Sequence, residues 1–238
     1  MARFDWVGTG AELSLRGEGH NVTVVVDMDS GAPHRFSVEF NGTVANGFVT
    51  KLGRKNYTVW AGSLPAGEEA SLRLLKATEA DMKTVVTIYG GEINGATLLL
   101  RQQQAEQLKI DVYGDSDSAA FAVDGKGHLI KCALCQGTVG CYENFAHGWV
   151  YQAASLLAAE FAVQAVSGIG VVKNAGRGLF CFTDLVLGML IGRTLASVDK
   201  NDYNGSAWGR ADAVVLFIGG NDYANLFPPS EEPPPSHI

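Results

Sequence analysis

The sequence predicts an antiparallel β-sandwich, jelly-roll-like in character, followed by an α/β unit built on a parallel sheet. Three observations carry this. Between Phe4 and Leu100 at least seven short runs alternate apolar and polar residues, with turn signals between them and no helix-length periodicity. The stretch Leu108–Ser118 is a strand-like alternation (Leu108, Ile110, Val112) that breaks at Gly114 and delivers a serine two residues later. Beyond it, apolar strand candidates alternate with helix-like segments, the pattern of βαβ units.

In the first half, Leu13 and Leu15 alternate, and Val22 to Val26 is β-branched. Phe36, Val38 and Phe40 alternate strictly before Asn41-Gly42, which predicts a two-residue hairpin turn. Tyr57 and Val59 mark a further strand, and Leu64-Pro65-Ala66-Gly67 turns the chain. Ala70, Leu72 and Leu74 repeat with period two, followed by Val85 to Tyr89 and Thr97 to Leu100. The polar run Arg101–Gln107 is the natural boundary, giving a sandwich over 1–104 and an α/β unit over 105–227.

In the second half, Phe145, Trp149, Ala153, Leu156 and Leu157 fall on one face of a helix expected over 145–158, with Phe145 and Trp149 in the core. Phe161 to Val166 reads as a strand and 184–195 as a second apolar helix. Ala213 to Ile218 is wholly apolar, as in the interior of a parallel sheet. Five of the seven prolines lie between Pro228 and Pro235, so 228–238 is a tail that supplies no strand or packed helix. The β-α-β-α-β pattern then stops after three strands. The expectation is an incomplete α/β unit, truncated at its carboxyl end, with Val214–Phe217 left as an exposed edge.

Composition bounds the function. With 238 residues the chain can bury a sizeable core, and 47% hydrophobic against 18% charged residues is a globular balance. A net charge of −7 argues against a nucleic-acid partner. No run approaches the roughly 18 apolar residues of a membrane span. The amino terminus has no signal-peptide core, whereas sequons at Asn21, Asn41, Asn56 and Asn204 lean toward the secretory route, so the compartment stays open. Oligomeric state is not legible.

Three predicted strand ends carry Gly114-Asp115-Ser116, Ser167-Gly168-Ile169-Gly170 and Gly219-Gly220-Asn221-Asp222. Parallel strands place all three on one edge, where open α/β sheets bind ligands. A hydroxyl, a glycine N–H and an asparagine amide are what acyl transfer requires, because the tetrahedral intermediate carries an oxyanion needing preorganised donors.

These blocks resemble those of the SGNH (GDSL-type) hydrolases. With the β-rich front, the chain from Phe4 to Asp222 resembles carbohydrate esterase family 2 and its acetylxylan-esterase-like relatives. In the front half, Leu74-Leu75-Lys76-Ala77-Thr78-Glu79 is similar to that family's Lys-x-Thr-Glu segment. The resemblance implies removal of acetyl groups from polysaccharides such as xylan or glucomannan, with no cofactor or metal. By position it implies Ser116 as nucleophile, with an oxyanion hole from the N–H groups of Ser116 and Gly170 and the Asn221 side chain. Asp115 and Asp222 would support the loops.

The chain departs from the family twice. Asp117-Ser118 stands where Ile-Thr usually follows Gly-Asp-Ser, putting a carboxylate beside the nucleophile. None of His20, His34, His128, His147 or His237 has Asp three residues earlier, so the Asp-x-x-His block that would supply the base is absent. The alternative is a non-catalytic carbohydrate-binding protein on the same scaffold.

Other motifs read more plainly. Asp115-Ser116-Asp117 lacks the third ligand and the glycine of a calcium loop, since Ala119 and Ala120 occupy those positions. Cys132, Cys135 and Cys141, with His128 or His147, lack a second Cys-x-x-Cys for zinc. They are a disulfide set if secreted and plain thiols if not. Cys181 reads as a small buried hydrophobe. Trp208 is a candidate for stacking on a sugar ring.

Overall fold

The computed structural model describes residues 2–16, 19–64, 66–94, 97–99, 107–126, 142–175, 183–198 and 211–224. The chain is mostly sheet with few helices. Among the described residues nine strands fill the front half: β1 (Ala2–Phe4), β2 (Gly10–Arg16), β3 (Gly19–Met28), β4 (Arg35–Phe40), β5 (Thr43–Val49), β6 (Gly53–Leu64), β7 (Glu69–Lys76), β8 (Val86–Asn94) and β9 (Thr97–Leu99). They form two antiparallel sheets, in the orders β1-β8-β3-β6 and β5-β4-β7-β2-β9.

Period-two patterning explains why the sheets face each other. Val22, Val24, Val26 and Val86 of one sheet share a buried core with Leu15, Phe36, Val38, Leu72 and Leu74 of the other. Each such side chain contributes about 1.5–3 kcal/mol relative to exposure. Asn41 and Gly42 join β4 to β5 with φ of 48° and 75°, so both residues of the predicted turn take the left-handed conformation that a type I′ hairpin demands.

The second half holds a three-stranded parallel sheet, with β10 (Lys109–Gly114) between β11 (Glu160–Ala165) and β12 (Ala213–Phe217). Gly114 is opposite both Ala165 and Phe217, so the three strands end level with one another. The next two strands in sequence pair on opposite sides of β10, which makes its carboxyl end a topological switch point. On one face α1 (Trp149–Leu156) buries Val150, Tyr151 and Ala154 against Val112, Phe161 and Val163. On the other, Val166 and Ile169 pack with Leu187, Leu190 and Ala196.

Two expectations need correction. The helix begins at Trp149, four residues late, with Phe145 in a separate 3₁₀ turn. That delay rotates the buried face: Trp149, Leu156 and Leu157 are exposed, and Trp149 instead sets its edge against Phe217, with ring centroids 5.7 Å apart. Over 184–195 only α2 (Leu187–Leu190) is helical. Two glycines, Gly188 and Gly192, weaken any longer helix, and Gly192 takes a φ of 91°. The last strand, β12, lies at the sheet edge as expected, with Val214, Leu216 and Phe217 at 59, 65 and 49% exposure.

Front and rear halves are joined through buried polar groups. The Trp6 indole N–H donates to the Arg193 carbonyl at 3.1 Å. The Asp5 carboxylate accepts the N–H groups of Ala196 and Ser197 at 2.9 and 2.8 Å. The Phe145 N–H donates to the Ala77 carbonyl at 3.0 Å.

Candidate active site

The level strand ends deliver three loops to one edge of the parallel sheet. Behind β10, Gly114 is required sterically: a Cβ there would lie 2.2 Å from Ser118 Oγ and 3.0 Å from the Phe217 carbonyl oxygen. The chain then coils tightly, with Ala119 N–H donating to the Asp115 carbonyl and Phe121 N–H to the Ser116 carbonyl, each at 2.9 Å. Ser116 is left half-buried, Ser118 is buried beneath it, and Asp117 faces solvent, where water screens its charge. Ala120 and Ala122 hold φ of 62° and 58°, conformations that cost an alanine roughly 1–2 kcal/mol each.

Behind β11, Gly170 has no room for any side chain. A Cβ would meet the Lys173 carbonyl oxygen at 1.9 Å and Asp222 Oδ2 at 2.8 Å. Its N–H donates to Asn174 Oδ1 at 3.0 Å, and Asn174 Nδ2 in turn donates to the carbonyls of Thr183 and Leu185.

Behind β12, Gly219 turns with a φ of 118° into a 3₁₀ turn, Gly220–Asp222. Asn221 ties all three loops together: Nδ2 donates to the Ile169 carbonyl at 2.9 Å and to Asp115 Oδ2 at 3.2 Å. Asp222 is 7% exposed and accepts three successive backbone N–H groups, Val171 at 2.8 Å, Val172 at 2.7 Å and Lys173 at 2.9 Å. It clamps the Gly170 loop. Asp115 is pushed above the usual carboxylate range by its burial, with the charges of Asp117 and Asp222 acting the same way.

The site residues read from sequence thus stand as follows. Ser116, Asp115, Gly170, Asn221 and Asp222 come together at one sheet edge, but the N–H groups of Gly170 and Asn221 are engaged with Asn174, Asp115 and Ile169. Trp208, Cys132, Cys135, Cys141, Cys181, His128, His237 and the proline-rich tail lie outside the described residues, as does the His20 side chain. Neither remaining histidine hydrogen-bonds to Ser116. His34 is fully buried, with Nδ1 2.8 Å from Thr78 Oγ1. His147 Nδ1 lies 2.6 Å from Asp124 Oδ1, beside a cleft of about 390 Å³ lined by Arg35, Asn46, Phe48 and Asn144. Asn174 was missed in the sequence because an asparagine four residues past a glycine carries no pattern of its own.

No protein-family profile matches the chain, and no curated protein matches it by sequence. Solved structures do match by fold. The structure of a family two carbohydrate esterase from Clostridium thermocellum in complex with cellohexaose superposes with a TM-score of 0.75 at 23% identity, covering 94% of this chain and 63% of that one. A carbohydrate esterase family 2 enzyme from Corynascus thermopiles (Myceliophthora fergusii) gives 0.76 at 22%, with coverage of 94% and 63%. An acetyl xylan esterase from the rumen bacterium Butyrivibrio proteoclasticus gives 0.72 at 14%, with 93% and 58%. In fold the chain is therefore similar to the family 2 carbohydrate esterases, and it spans less than two thirds of the length of these structures.

Proposed function

We propose that the chain is a carbohydrate O-acetyl esterase of the SGNH type, made of a jelly-roll-like sandwich over 1–104, part of an SGNH α/β domain over 105–227 and a proline-rich tail over 228–238. The convergence of the Asp115-Ser116, Ile169-Gly170 and Asn221-Asp222 loops supports this reading above all else. The complex of a similar esterase with cellohexaose supports a polysaccharide as the substrate class.

In this reading Ser116 Oγ attacks the acetyl carbonyl, forming a C–O bond while the carbonyl π electrons move onto oxygen. The resulting oxyanion is met by the N–H groups of Ser116 and Gly170 and by Asn221 Nδ2. To reach it, Asn221 gives up its longer bond, that to Asp115, and Gly170 leaves Asn174. Each such donor lowers the barrier by about 3 kcal/mol in comparable sites. Collapse expels the sugar oxygen, which takes up the proton that Ser116 Oγ lost; water then adds to the acetyl carbon of the acyl-serine, its oxygen leaves in acetic acid and a proton returns to Ser116 Oγ.

Deprotonating Ser116 calls for a base at hydrogen-bond distance, and neither His34 nor His147 provides it. With a base drawn only from the described residues, ester turnover is accordingly expected to be slow. Acetate release from an aryl acetate should still fall to the uncatalysed rate in Ser116→Ala, and an unchanged rate in that variant would refute the reading. The same histidine geometry favours a second one, carbohydrate binding without turnover. Titration calorimetry with xylan, glucomannan or cello-oligosaccharides separates the two: binding with no acetate release supports the second, and no binding refutes it.

A further inference from the structure

Behind the site lies a cluster of ionisable side chains that the proposed chemistry does not use. Lys76, Glu79 and Glu143 are 0, 1 and 0% exposed. Lys76 closes β7, Glu79 follows it, and Glu143 precedes α1, so the cluster spans the front and rear halves. Lys76 Nζ donates to the carbonyls of Thr78 and Glu79 at 2.7 and 2.8 Å. The Glu79 N–H donates to Glu143 Oε2 at 2.9 Å. Glu79 Oε2 accepts the N–H of Ser167, the first residue of the turn that ends in Gly170.

One oxygen of each carboxyl, Oε1 of Glu79 and Oε1 of Glu143, is buried with no donor among the described residues. The two carboxyls also face each other within hydrogen-bonding reach. Two buried carboxylates in contact would repel, and each unpaired oxygen would lose its hydration. A proton between them removes both penalties, and with Lys76 charged it leaves this trio neutral. Other charges nearby are already engaged: Asp5 by Ala196 and Ser197, and Asp81 by Lys83 and Thr84.

We infer that Glu79 and Glu143 share one proton, and that this acid–carboxylate pair positions the Ser167–Gly170 turn from the front sheets. Burial first, and the Glu79 charge next, holds the Glu143 carboxyl well above the ordinary range, in keeping with a neutral acid there. Between Ser167 and Gly170 the fully buried Ile169 acts as a wedge, so a shift at Ser167 is carried to the Gly170 N–H. Glu79 and Glu143 touch no substrate and are positioning residues. That the turn serves acyl chemistry rests on the esterase reading; that the pair holds it does not.

Two measurements on the full chain test the pair without any activity assay. Infrared spectra at neutral pH should show a protonated-carboxyl stretch that vanishes in Glu143→Gln. Amide hydrogen exchange should find Ser167–Gly170 as protected in Glu143→Gln as in the parent chain, because the glutamine N–H replaces the acid O–H. In Glu143→Leu, which keeps the bulk and loses the donor, exchange of that turn should quicken roughly tenfold or more, with Val24 and Val26 of the sandwich core unchanged. A missing carboxyl band overturns the inference. So does Gln behaving like Leu, or acceleration spread equally over turn and sandwich. If exchange behaves as expected while Ser116→Ala leaves ester hydrolysis unchanged, the positioning stands and the esterase reading falls.

Discussion

Gly170 has contacts that leave no choice of residue. Placing a methyl group within 1.9 Å of the Lys173 carbonyl forces the loop apart. Gly170→Ala should therefore cost about 1–3 kcal/mol and abolish oligosaccharide binding, readable from thermal unfolding and calorimetry. Gly42 is the comparison: a Cβ there meets nothing, so Gly42→Ala should cost only the roughly 1–2 kcal/mol of a left-handed alanine and leave binding intact. Asp222 is the second single point of failure. Asp222→Asn keeps one acceptor oxygen and turns an N–H₂ toward backbone N–H groups that need an acceptor. A loss of about 2–3 kcal/mol is expected, measured by denaturant unfolding.

At the level of elements, β12 and β10 should respond oppositely to substitution. Leu216 on β12 is 65% exposed, so Leu216→Lys should change stability by no more than about 0.5 kcal/mol and raise solubility, by masking an open apolar edge. Val112 on β10 is 1% exposed, so Val112→Ala should cost about 1–3 kcal/mol in the same unfolding assay. The front strands were legible because period two survives wherever one face of a sheet is buried, as in Ala70, Leu72 and Leu74. Asn41-Gly42 was legible because few residue pairs tolerate two left-handed conformations. The rear helices were not: 145–158 is apolar nearly all round, so its pattern fixes neither start nor phase. The buried Lys76, Glu79 and Glu143 were hidden for a different reason. Charged residues read as surface in a sequence, and only tertiary pairing can place them inside.

For the whole molecule, the buried ionisable groups set the pH dependence of stability. Burial first, then the Lys76 charge, brings His34 down to about 3 from 6.5, so the unfolded chain binds the extra proton and stability falls as pH drops below 6.5. Asp81 adds to this limb. Although burial alone would raise its pKa, the Thr84 hydroxyl and the N–H groups of Lys83 and Thr84 lower it below 3.8. Glu143 acts in the opposite sense: raised well above 4.5, it binds its proton in the folded chain, so its contribution is complete below that value and is lost on the way up. Lys76, brought down to about 8 from 10.5 mainly by burial, restores stability only between those two values. His34 and Asp81 thus lower stability as the pH falls below 6.5, Glu143 lowers it as the pH rises above 4.5, and Lys76 restores it between about 8 and 10.5. Glu143→Gln should flatten the upper limb and His34→Gln the lower, as followed by thermal melts across pH.

The central claim is geometric: loops separated by about fifty and about a hundred residues meet around the Ser116 hydroxyl. Paramagnetic relaxation tests it without reference to catalysis. With a nitroxide on Ser116→Cys, the Gly170 N–H and the Asn221 side-chain amide should broaden together in the oxidised label and recover on reduction. Full intensity at either group in the oxidised state would contradict the account.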